Sequence, residues 1–366
     1  MTSDRIDKQG FPHFMLKEIH DQVEVVQACL DAFSKNGEIN FGFSTQIYAG
    51  VEQIQIIGCG SSRHASLIGK YLFEQLAGIP TRVHCAPEFI DAPPPKTPNT
   101  LIIGVTQSGE TADTLAALKI EKERGSKILG ITNKSGSSLE KLADYTIHTP
   151  AGIEKAIAAT KTFLAQLIVF YFLAIDLAYY RQNISNERKN EIIASLSQIP
   201  AQIDTILQSQ KQASEKLAQS LLDKRNFILL GRGINFPIAL EGALKLKETN
   251  YIHAEGYQAG EFMHGPIAML DNNVAVLAIA MPGVVYEKII TNLQRVSKSG
   301  VSSIGISSTN QTNELEIFSH VVRVGDVDEL LSPILSVIPI QILAYYLAVG
   351  RGVDVDNPRN LTKAIT

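Results

Sequence analysis

The sequence has few cysteines, no tryptophan and no excess of basic residues, and these absences argue against several classes of protein. Its 366 residues include only three cysteines and no tryptophan, and 33 Lys and Arg against 37 Asp and Glu give a formal net charge of −4. Without a basic excess or a basic block, nucleic acid is not an expected partner. The cysteines, Cys29, Cys59 and Cys85, are odd in number and lack metal-ligand spacing. They therefore favour a reducing compartment and argue against a disulfide framework or a zinc site.

Long unbroken apolar runs are also missing. The two longest, residues 163–178 and 334–349, are interrupted by polar residues or proline, and neither reaches the roughly eighteen unbroken apolar residues typical of a membrane span. We expect both to be buried core helices and expect no membrane partner. The first residues contain neither an apolar core region nor a small-residue cleavage site, so we expect no export and a cytoplasmic location.

What the sequence does have is a twofold internal repeat. An apolar run that ends in Gly-x-Gly at residues 54–60 recurs at residues 227–233. Two further runs recur in the same order: residues 101–105 with 274–278, and residues 127–132 with 302–307. Four matches in order, counting the long apolar helix that ends each half, indicate a duplicated architecture.

Each half alternates short apolar runs with helical segments, which predicts parallel strands buried on both faces. We predict an α/β fold with two tandem doubly wound parallel-sheet domains, each a flavodoxin-like three-layer sandwich. A helical arm, including residues 15–33, precedes the first domain. The predicted limits are as follows: arm 1–45, first domain 46–182, linking helices 183–216, second domain 217–352 and C-terminal tail 353–366.

Two loops of the first half are rich in glycine and hydroxyl groups. They are residues 58–62 and 106–111, and each follows a predicted strand and precedes a predicted helix. Glycine lets a ligand approach the backbone, the helix N-terminus offers free N–H donors, and hydroxyls complete an anion cradle. The pattern predicts a phosphate site without Lys, Arg or magnesium. The alternative is that these Ser and Thr residues only cap the helices.

The second half has different candidates. Its corresponding loops, residues 231–235 and 280–283, have lost nearly all hydroxyls, but Glu241, Lys245 and Glu248 share one face of a predicted helix. A solvated stripe of salt bridges is the alternative for that face. Glycine and proline place His264 on a tight loop, where a surface role is the alternative. The composition of residues 353–366 favours a loose tail.

Together these segments resemble the isomerase half of glutamine–fructose-6-phosphate amidotransferase, which consists of two sugar isomerase (SIS) domains. The resemblance runs from about Phe11 to the last residue and keeps the motif order. The segments that carry it are these: Gly60-Ser61-Ser62, TQSGET at 106–111, ALEGALKLKE at 239–248, His264-Gly265-Pro266 and DNPRNLTK at 356–363.

The resemblance implies a role for each matching residue. Glu248 matches the carboxylate that moves a proton between C1 and C2 of the sugar, and Lys245 matches a lysine beside it. His264 matches a histidine that helps to open the sugar ring in the neighbouring subunit of a homodimer, and Lys363 matches a lysine that contacts the open-chain sugar. The implied residues that bind the sugar 6-phosphate are these: Ser61, Ser62, Thr106, Gln107, Ser108, Thr111 and Thr362.

This chemistry requires no cofactor and no metal. A carboxylate can act first as base and then as acid, a nearby cation can polarise the carbonyl oxygen, and the remote phosphate can hold the carbons in register.

The sequence also departs from the family pattern. Residues usual in the family are replaced by Thr106, Ala159 and Met263, and the first cysteine is Cys29, in a predicted helix. We therefore expect no glutaminase chemistry from this chain, and another substrate or reaction direction is the alternative that these departures leave open.

Four hypotheses follow. The first is an amino-sugar phosphate isomerase that interconverts fructose 6-phosphate and glucosamine 6-phosphate, as an ammonia-dependent synthase or as a deaminase. The second is an isomerase subunit of a glutamine-dependent synthase whose glutaminase is on another chain. The third is a deglycase for fructosamine-type 6-phosphates, and the fourth is a sugar-phosphate sensor. Retention of Glu248, His264 and Lys363 argues against the sensor, which needs only the cradle.

Overall fold

The chain begins with a helical arm packed onto the body of the protein. The computed structural model describes residues 7–35, 37–308 and 315–363. The arm consists of these elements: α1 (Phe14–His20), α2 (Gln22–Phe33), β1 (Ser34–Lys35) and β2 (Glu38–Ile39). Apolar residues three to four positions apart, such as Val25, Val26 and Cys29, are buried against the body.

The first sheet has five parallel strands in the order β4-β3-β5-β6-β7. Its strands and helices are as follows: β3 (Gln53–Gly58), α3 (Gly60–Leu76), β4 (Thr81–Cys85), α4 (Ala86–Asp91), β5 (Thr100–Val105), α5 (Ala112–Glu123), β6 (Lys127–Thr132), α6 (Ser138–Leu142) and β7 (Tyr145–His148). The central strands are buried along nearly their whole length. Their uninterrupted apolar character is therefore that of strands covered by helices on both faces.

The second half repeats this arrangement after three helices. Those helices are as follows: α7 (Lys161–Tyr180), α8 (Asn186–Leu196) and α9 (Ile199–Ser220). The second set of elements is as follows: β8 (Asn226–Gly231), α10 (Phe236–Asn250), β9 (His253–Gln258), α11 (Ala259–Phe262), β10 (Val274–Ile279), α12 (Tyr286–Ser297), β11 (Ser302–Ser307), β12 (His320–Arg323) and α13 (Ser332–Gly350).

The second sheet has the strand order β9-β8-β10-β11-β12, and all its pairs are parallel. Numbered within each half, both sheets run 2-1-3-4-5, which is the flavodoxin-like order. The predicted fold, two tandem doubly wound domains, is confirmed. The limits assigned to the domains remain predictions from the sequence.

The two long apolar segments form α7 and α13. Both are long and apolar enough to cross a membrane, but 89% of each apolar window is buried inside the protein. The prediction of core helices is confirmed.

Helix α10 lies between its own sheet and the first domain. At Gly242 a Cβ would lie 2.6 Å from Leu229 and 2.7 Å from Ile340, so glycine permits the close approach of α10 to β8 and α13. Another face of α10 packs against α3 of the first domain. This packing brings the charged residues of α10 to the carboxyl end of the first sheet.

Candidate functional site

Three separate parts of the chain meet in one cavity at the carboxyl end of the first sheet. The cavity has a volume of about 270 Å³. Its principal lining residues come from the strand-end loops, from α10 and from the tail: Ser61, Ser62, Thr106, Gln107, Ser108, Thr111, Glu248, Thr362 and Lys363. Nine of the eleven residues predicted for the site thus line one cavity. Lys245 lies beside it, in contact with Glu248, and His264 lies elsewhere.

The loop after β5 forms most of the predicted cradle. The hydroxyl oxygens of Thr106 and Thr111 are 2.6 Å apart, and Ser108 Oγ accepts a hydrogen bond from the backbone N–H of Glu110 at 3.1 Å. Thr111 is the N-cap residue of α5, yet its side chain makes no capping hydrogen bond. Gly109 has φ +67°, and a Cβ there would lie 2.3 Å from Ser137. The capping alternative therefore does not account for Thr111.

The two serines after β3 have different partners. Ser62 Oγ accepts a hydrogen bond of 3.1 Å from Gln166 Nε2 on α7. Ser61 Oγ donates a 2.8 Å hydrogen bond to Glu241 Oε1 on α10. Ser61 therefore joins the two domains as well as lining the cavity.

Glu241, Lys245 and Glu248 form a chain of charges at the domain interface. Lys245 Nζ lies 3.3 Å from Glu241 Oε1 and 2.6 Å from Glu248 Oε2. The side chains of Glu241 and Lys245 are fully buried, whereas that of Glu248 is 20% exposed. His64 Nδ1 on α3 contacts Glu241 Oε2 at 2.8 Å. The charged face of α10 is therefore not a solvated stripe of salt bridges. Of its three charged residues, only Glu248 lines the cavity.

Opposite charges decide the ionisation of these buried side chains. Burial alone would lower the pKa of Lys245, but the charges of Glu241 and Glu248 outweigh it and the pKa is raised. Burial likewise acts to raise the pKa of Glu241, but Lys245 and His64 outweigh it and the pKa is lowered. Lys245 is thus held as an ammonium against the Glu248 carboxylate.

Lys363 reaches the cavity from the tail and is held by a buried carboxylate. Its Nζ lies 2.6 Å from Glu154 Oε2 and donates to the carbonyl oxygen of Ala156 at 2.5 Å. The side chain of Glu154 is fully buried and also accepts hydrogen bonds from the backbone N–H groups of Thr160 and Thr162. Burial would raise the pKa of Glu154, but the Lys363 charge outweighs it and the pKa is lowered.

The rest of the described tail is also anchored. The carboxylate of Asp356 accepts hydrogen bonds from the backbone N–H groups of Phe14 and Met15, both at 2.9 Å, at the start of α1. Its carbonyl oxygen accepts a hydrogen bond from the N–H of Ile157 at 3.2 Å. The loose tail that composition favours is therefore wrong for residues 353–363.

His264 does not reach the cavity within this chain. It follows α11, is exposed, and does not line the cavity. The structure thus brings together the cradle, Glu248 and Lys363 but leaves His264 outside. In the described ranges 7–35, 37–308 and 315–363, no group of three His, Cys, Asp or Glu residues is placed to bind a metal ion.

Several residues that shape the site were missed by the sequence analysis. Glu154 anchors Lys363, Gln166 holds Ser62, and His64 holds Glu241. Local sequence patterns do not show these contacts, because the partners lie about a hundred residues apart or more along the chain. A charged or polar residue within an apolar run, such as Gln166 in residues 163–178, was the only available signal.

The structure is that of a protein with two flavodoxin-like domains, in which hydroxyl-rich loops of the first line a cavity and a helix of the second brings the charged side chains of Glu241, Lys245 and Glu248 to it. The family model for the SIS domain matches residues 47–176 and 220–351. The chain belongs to the SIS domain family and, within it, to the group formed by the C-terminal part of glutamine–fructose-6-phosphate aminotransferases.

Relatives with that name match almost the whole chain. The glutamine–fructose-6-phosphate aminotransferase [isomerizing] of Nostoc sp. PCC 9229 is 55% identical over 98% of this chain, and that of Synechocystis sp. PCC 6803 is 52% identical over 99%. In both cases the chain spans 60% of the relative's length.

Solved structures agree with this assignment. The C-terminal domain of glucosamine-fructose-6-phosphate aminotransferase from Francisella tularensis superposes with a TM-score of 0.93 at 33% identity, covering 96% of this chain and 100% of that one. A glucosamine-6-phosphate deaminase from Thermotoga maritima superposes with a TM-score of 0.75 at 26% identity, covering 96% of this chain and 99% of that one.

Proposed function

We propose that the chain is an amino-sugar phosphate isomerase that interconverts glucosamine 6-phosphate and fructose 6-phosphate with release or uptake of ammonia. The observation that carries the proposal is the shared cavity, which joins an uncharged anion cradle to a carboxylate and an ammonium group. A sugar 6-phosphate has an anion at one end and its reacting carbons at the other, so it matches this distribution of groups.

In this proposal the cradle binds the phosphate. Thr106, Ser108 and Thr111 supply hydroxyls, Gln107 and Ser62 complete the pocket, and the N-termini of α3 and α5 supply backbone N–H donors. Ser61 and Thr362 also line the cavity and would border the bound sugar phosphate. Because the phosphate does not react, its binding energy serves to hold C1 and C2 beside Glu248.

Glu248 then moves the proton. In the deaminating direction its carboxylate takes the C2 proton of open-chain glucosamine 6-phosphate, which gives an enolamine, and returns a proton to C1. The resulting C2 imine adds water and releases ammonia, leaving fructose 6-phosphate. Lys245 holds the carboxylate at 2.6 Å, and Lys363 places a positive charge beside the oxygen on which negative charge develops. The same steps in reverse consume ammonia.

The direct test is an assay of the purified chain with glucosamine 6-phosphate in the absence of glutamine. We expect ammonia and fructose 6-phosphate to form in equal amounts. Absence of both products, with sugar-phosphate binding still measurable, would exclude the deaminase. It would leave the sensor or a substrate with another nitrogen substituent, and a fructosamine-type 6-phosphate would then be assayed as the alternative substrate.

A second candidate is the isomerase part of a glutamine-dependent synthase. It is favoured by the relatives, since they bear that name and are longer than this chain. Addition of a glutaminase would then support synthesis of glucosamine 6-phosphate from glutamine and fructose 6-phosphate. Synthesis from free ammonium at the same rate, with no gain from glutaminase, would argue against this candidate.

We also propose that His264 completes the cavity of a second copy in a homodimer, where it helps to open the sugar ring. His264 is exposed and does not line the chain's own cavity, which supports this role. Mixed dimers of Glu248→Gln and His264→Ala subunits should regain activity, because one of their two sites would have both residues. No recovery in confirmed mixed dimers would contradict the shared site.

We propose a cytosolic location. All three cysteines are free, and the two apolar helices are buried in the fold. A cell-fractionation experiment with the tagged protein would test this location, and recovery in the membrane fraction would contradict it.

A further inference from the structure

Helix α1 of the arm carries a buried carboxylate that contacts the backbone beside the site. Glu18 is 1% exposed. Its carboxylate accepts hydrogen bonds from the backbone N–H of Lys155 and, at 3.2 Å, from that of Ala156. A buried carboxylate with two backbone donors fixes the position of the segment that supplies them.

The same segment receives the ammonium group of Lys363. Glu154 Oε2 and the carbonyl oxygen of Ala156 are its two partners, at 2.6 Å and 2.5 Å. Residues 154–156 are therefore bound both by Glu18 and by Lys363. The first turn of α1 also holds the tail, through the bonds from Phe14 and Met15 to Asp356. Helix α1 thus contacts both the tail, at Asp356, and residues 154–156, which bind the ammonium group of Lys363.

We propose that Glu18 is a positioning residue for Lys363, acting through residues 154–156. This inference rests on the proposed function, since it concerns the lysine assigned to the open-chain sugar. Glu18 does not line the cavity and takes no part in the chemistry itself. It fixes the two groups, the Glu154 carboxylate and the Ala156 carbonyl, that aim the ammonium at the substrate.

The charges around Glu18 make its influence depend on pH. Burial and the neighbouring charge of Glu154 raise the pKa of Glu18 to about 7, against the smaller effects of the Lys155 N–H, Lys363 and Lys161. Lys161 is itself paired with Asp21 at 2.9 Å. As the pH rises through 7, Glu18 gains a negative charge near Lys363. The ionised carboxylate then holds the ammonium more firmly and accepts both backbone bonds more strongly.

The first test compares Glu18→Gln with the control Glu24→Gln, which changes an exposed carboxylate of the same arm. The glutamine keeps the shape of the side chain but can accept only one of the two bonds well. We expect kcat to fall by about tenfold to a hundredfold, as a small misplacement of a reacting group causes. KM should change by less than about threefold, because the cradle is built from other loops, and the inflection near pH 7 should disappear from the kcat profile. Parental kcat and an unchanged pH profile would overturn the proposal.

The second test measures Lys363 without relying on turnover. The rate at which an amine-reactive reagent acylates Lys363 is followed by mass spectrometry, with the exposed Lys288 on α12 as the internal reference. At pH 8 we expect Glu18→Gln to raise the Lys363 rate several-fold and to leave the Lys288 rate unchanged. Equal Lys363 rates in the parental chain and the variant would overturn the positioning role.

Two further outcomes are distinguishable. If the parental chain turns over no sugar phosphate, the proposed function fails while the labelling still tests the role of Glu18. If Glu18→Gln does not fold, the positioning role is tested by the pH dependence of labelling in the parental chain alone. Its Lys363 labelling should rise less steeply with pH than that of Lys288 around pH 7, as Glu18 ionises. Parallel curves would contradict the proposal.

Discussion

The two domains have the same strand order but carry different residues where their sheets end. In the first domain, the loop after β5 brings Thr106, Ser108 and Thr111 to an open cavity. In the second domain, the backbone N–H of Val284 in the corresponding loop donates to Glu329 Oε2 at 2.6 Å. A Cβ at Gly283 would lie 2.3 Å from the same carboxylate. The second loop therefore binds a carboxylate of its own chain, whereas the first loop places its hydroxyls at an open cavity.

The second domain contributes a helix instead of a cradle. Its loop after β8 carries Arg232, which donates to Asn292 at 3.1 Å, and the helix that follows brings Glu241, Lys245 and Glu248 to the first domain. The two copies of the duplicated fold therefore have different proposed roles: ligand binding for the first domain and acid–base chemistry for the second. Changes to Glu248, Lys245 and Thr111 test this division between the domains, and a change to Glu18 tests the link between the arm and the first domain.

The largest effect is expected from Glu248→Gln. Turnover should fall by about 10²- to 10⁴-fold, the usual contribution of a general acid–base group. The dissociation constant for the sugar phosphate should stay within about threefold, because the cradle belongs to the other domain. Steady-state kinetics and calorimetry measure the two quantities, with the exposed Glu287→Gln as the control. Parental turnover would refute the assignment of Glu248.

Lys245→Met is expected to have the next largest effect, on stability. It removes the fully buried cation between Glu241 and Glu248 and should lower the free energy of unfolding by about 3–5 kcal/mol. Urea unfolding measures this, and Lys288→Met on the surface should stay within about 0.5 kcal/mol of the parental value. Adding Glu241→Gln to Lys245→Met should restore part of the loss, since it removes a carboxylate left without its cation. A loss below about 1 kcal/mol would mean that the charges do not join the domains as described.

The pH dependence of stability tests the link between the arm and the first domain. Because the pKa of Glu18 is raised from 4.5 to about 7, the folded state binds the proton more tightly than the unfolded state does. Its contribution to stability is fully present below pH 4.5 and is lost as the pH rises to about 7. The loss amounts to about 3 kcal/mol. Urea unfolding at pH 5 and pH 8 should show most of this loss, about 2.5 kcal/mol, in the parental chain and not in Glu18→Gln. The same slope in both proteins would contradict the burial of an ionising Glu18.

The smallest effect is expected from the cradle itself. Thr111→Val keeps the shape but removes the hydroxyl that lies 2.6 Å from Thr106 Oγ1. KM should rise by about tenfold, the value of roughly one hydrogen bond to a charged group, while kcat should change little. Val284→Ala alters the equivalent loop of the second domain, where the side chain is 87% exposed, and should leave KM unchanged. Equal changes in KM for the two variants would remove the distinction between the loops.

Sequence reasoning predicted the features that depend on local patterns. The repeat and the apolar runs gave both sheets and the core helices α7 and α13, and the glycine- and hydroxyl-rich loops lie at the cavity as expected. Ser61 was expected to line the cradle, and the structure also joins it to Glu241 across the domain interface.

The contacts that complete the site could not be predicted in the same way. Glu154 and Lys363 are 209 residues apart, and His64 and Glu241 are 177 apart. Periodicity and loop composition report on neighbours within a few positions along the chain. They do not show which charged side chains, distant in the sequence, will pair in the folded protein. The resemblance to a known family supplied Lys363, but nothing in the local sequence pointed to Glu154 or Glu18 as its support.

The most direct test of the division between the domains is exchange of hydrogen at C1 of fructose 6-phosphate, followed by NMR in D₂O with ammonium present. The account predicts that the parental chain exchanges one C1 hydrogen with solvent. It also predicts that Glu248→Gln binds the sugar phosphate equally well and exchanges none. Exchange by Glu248→Gln at the parental rate would show that the proton is moved by another group, and would contradict the claim that the second domain supplies the acid–base residue to a sugar held by the first.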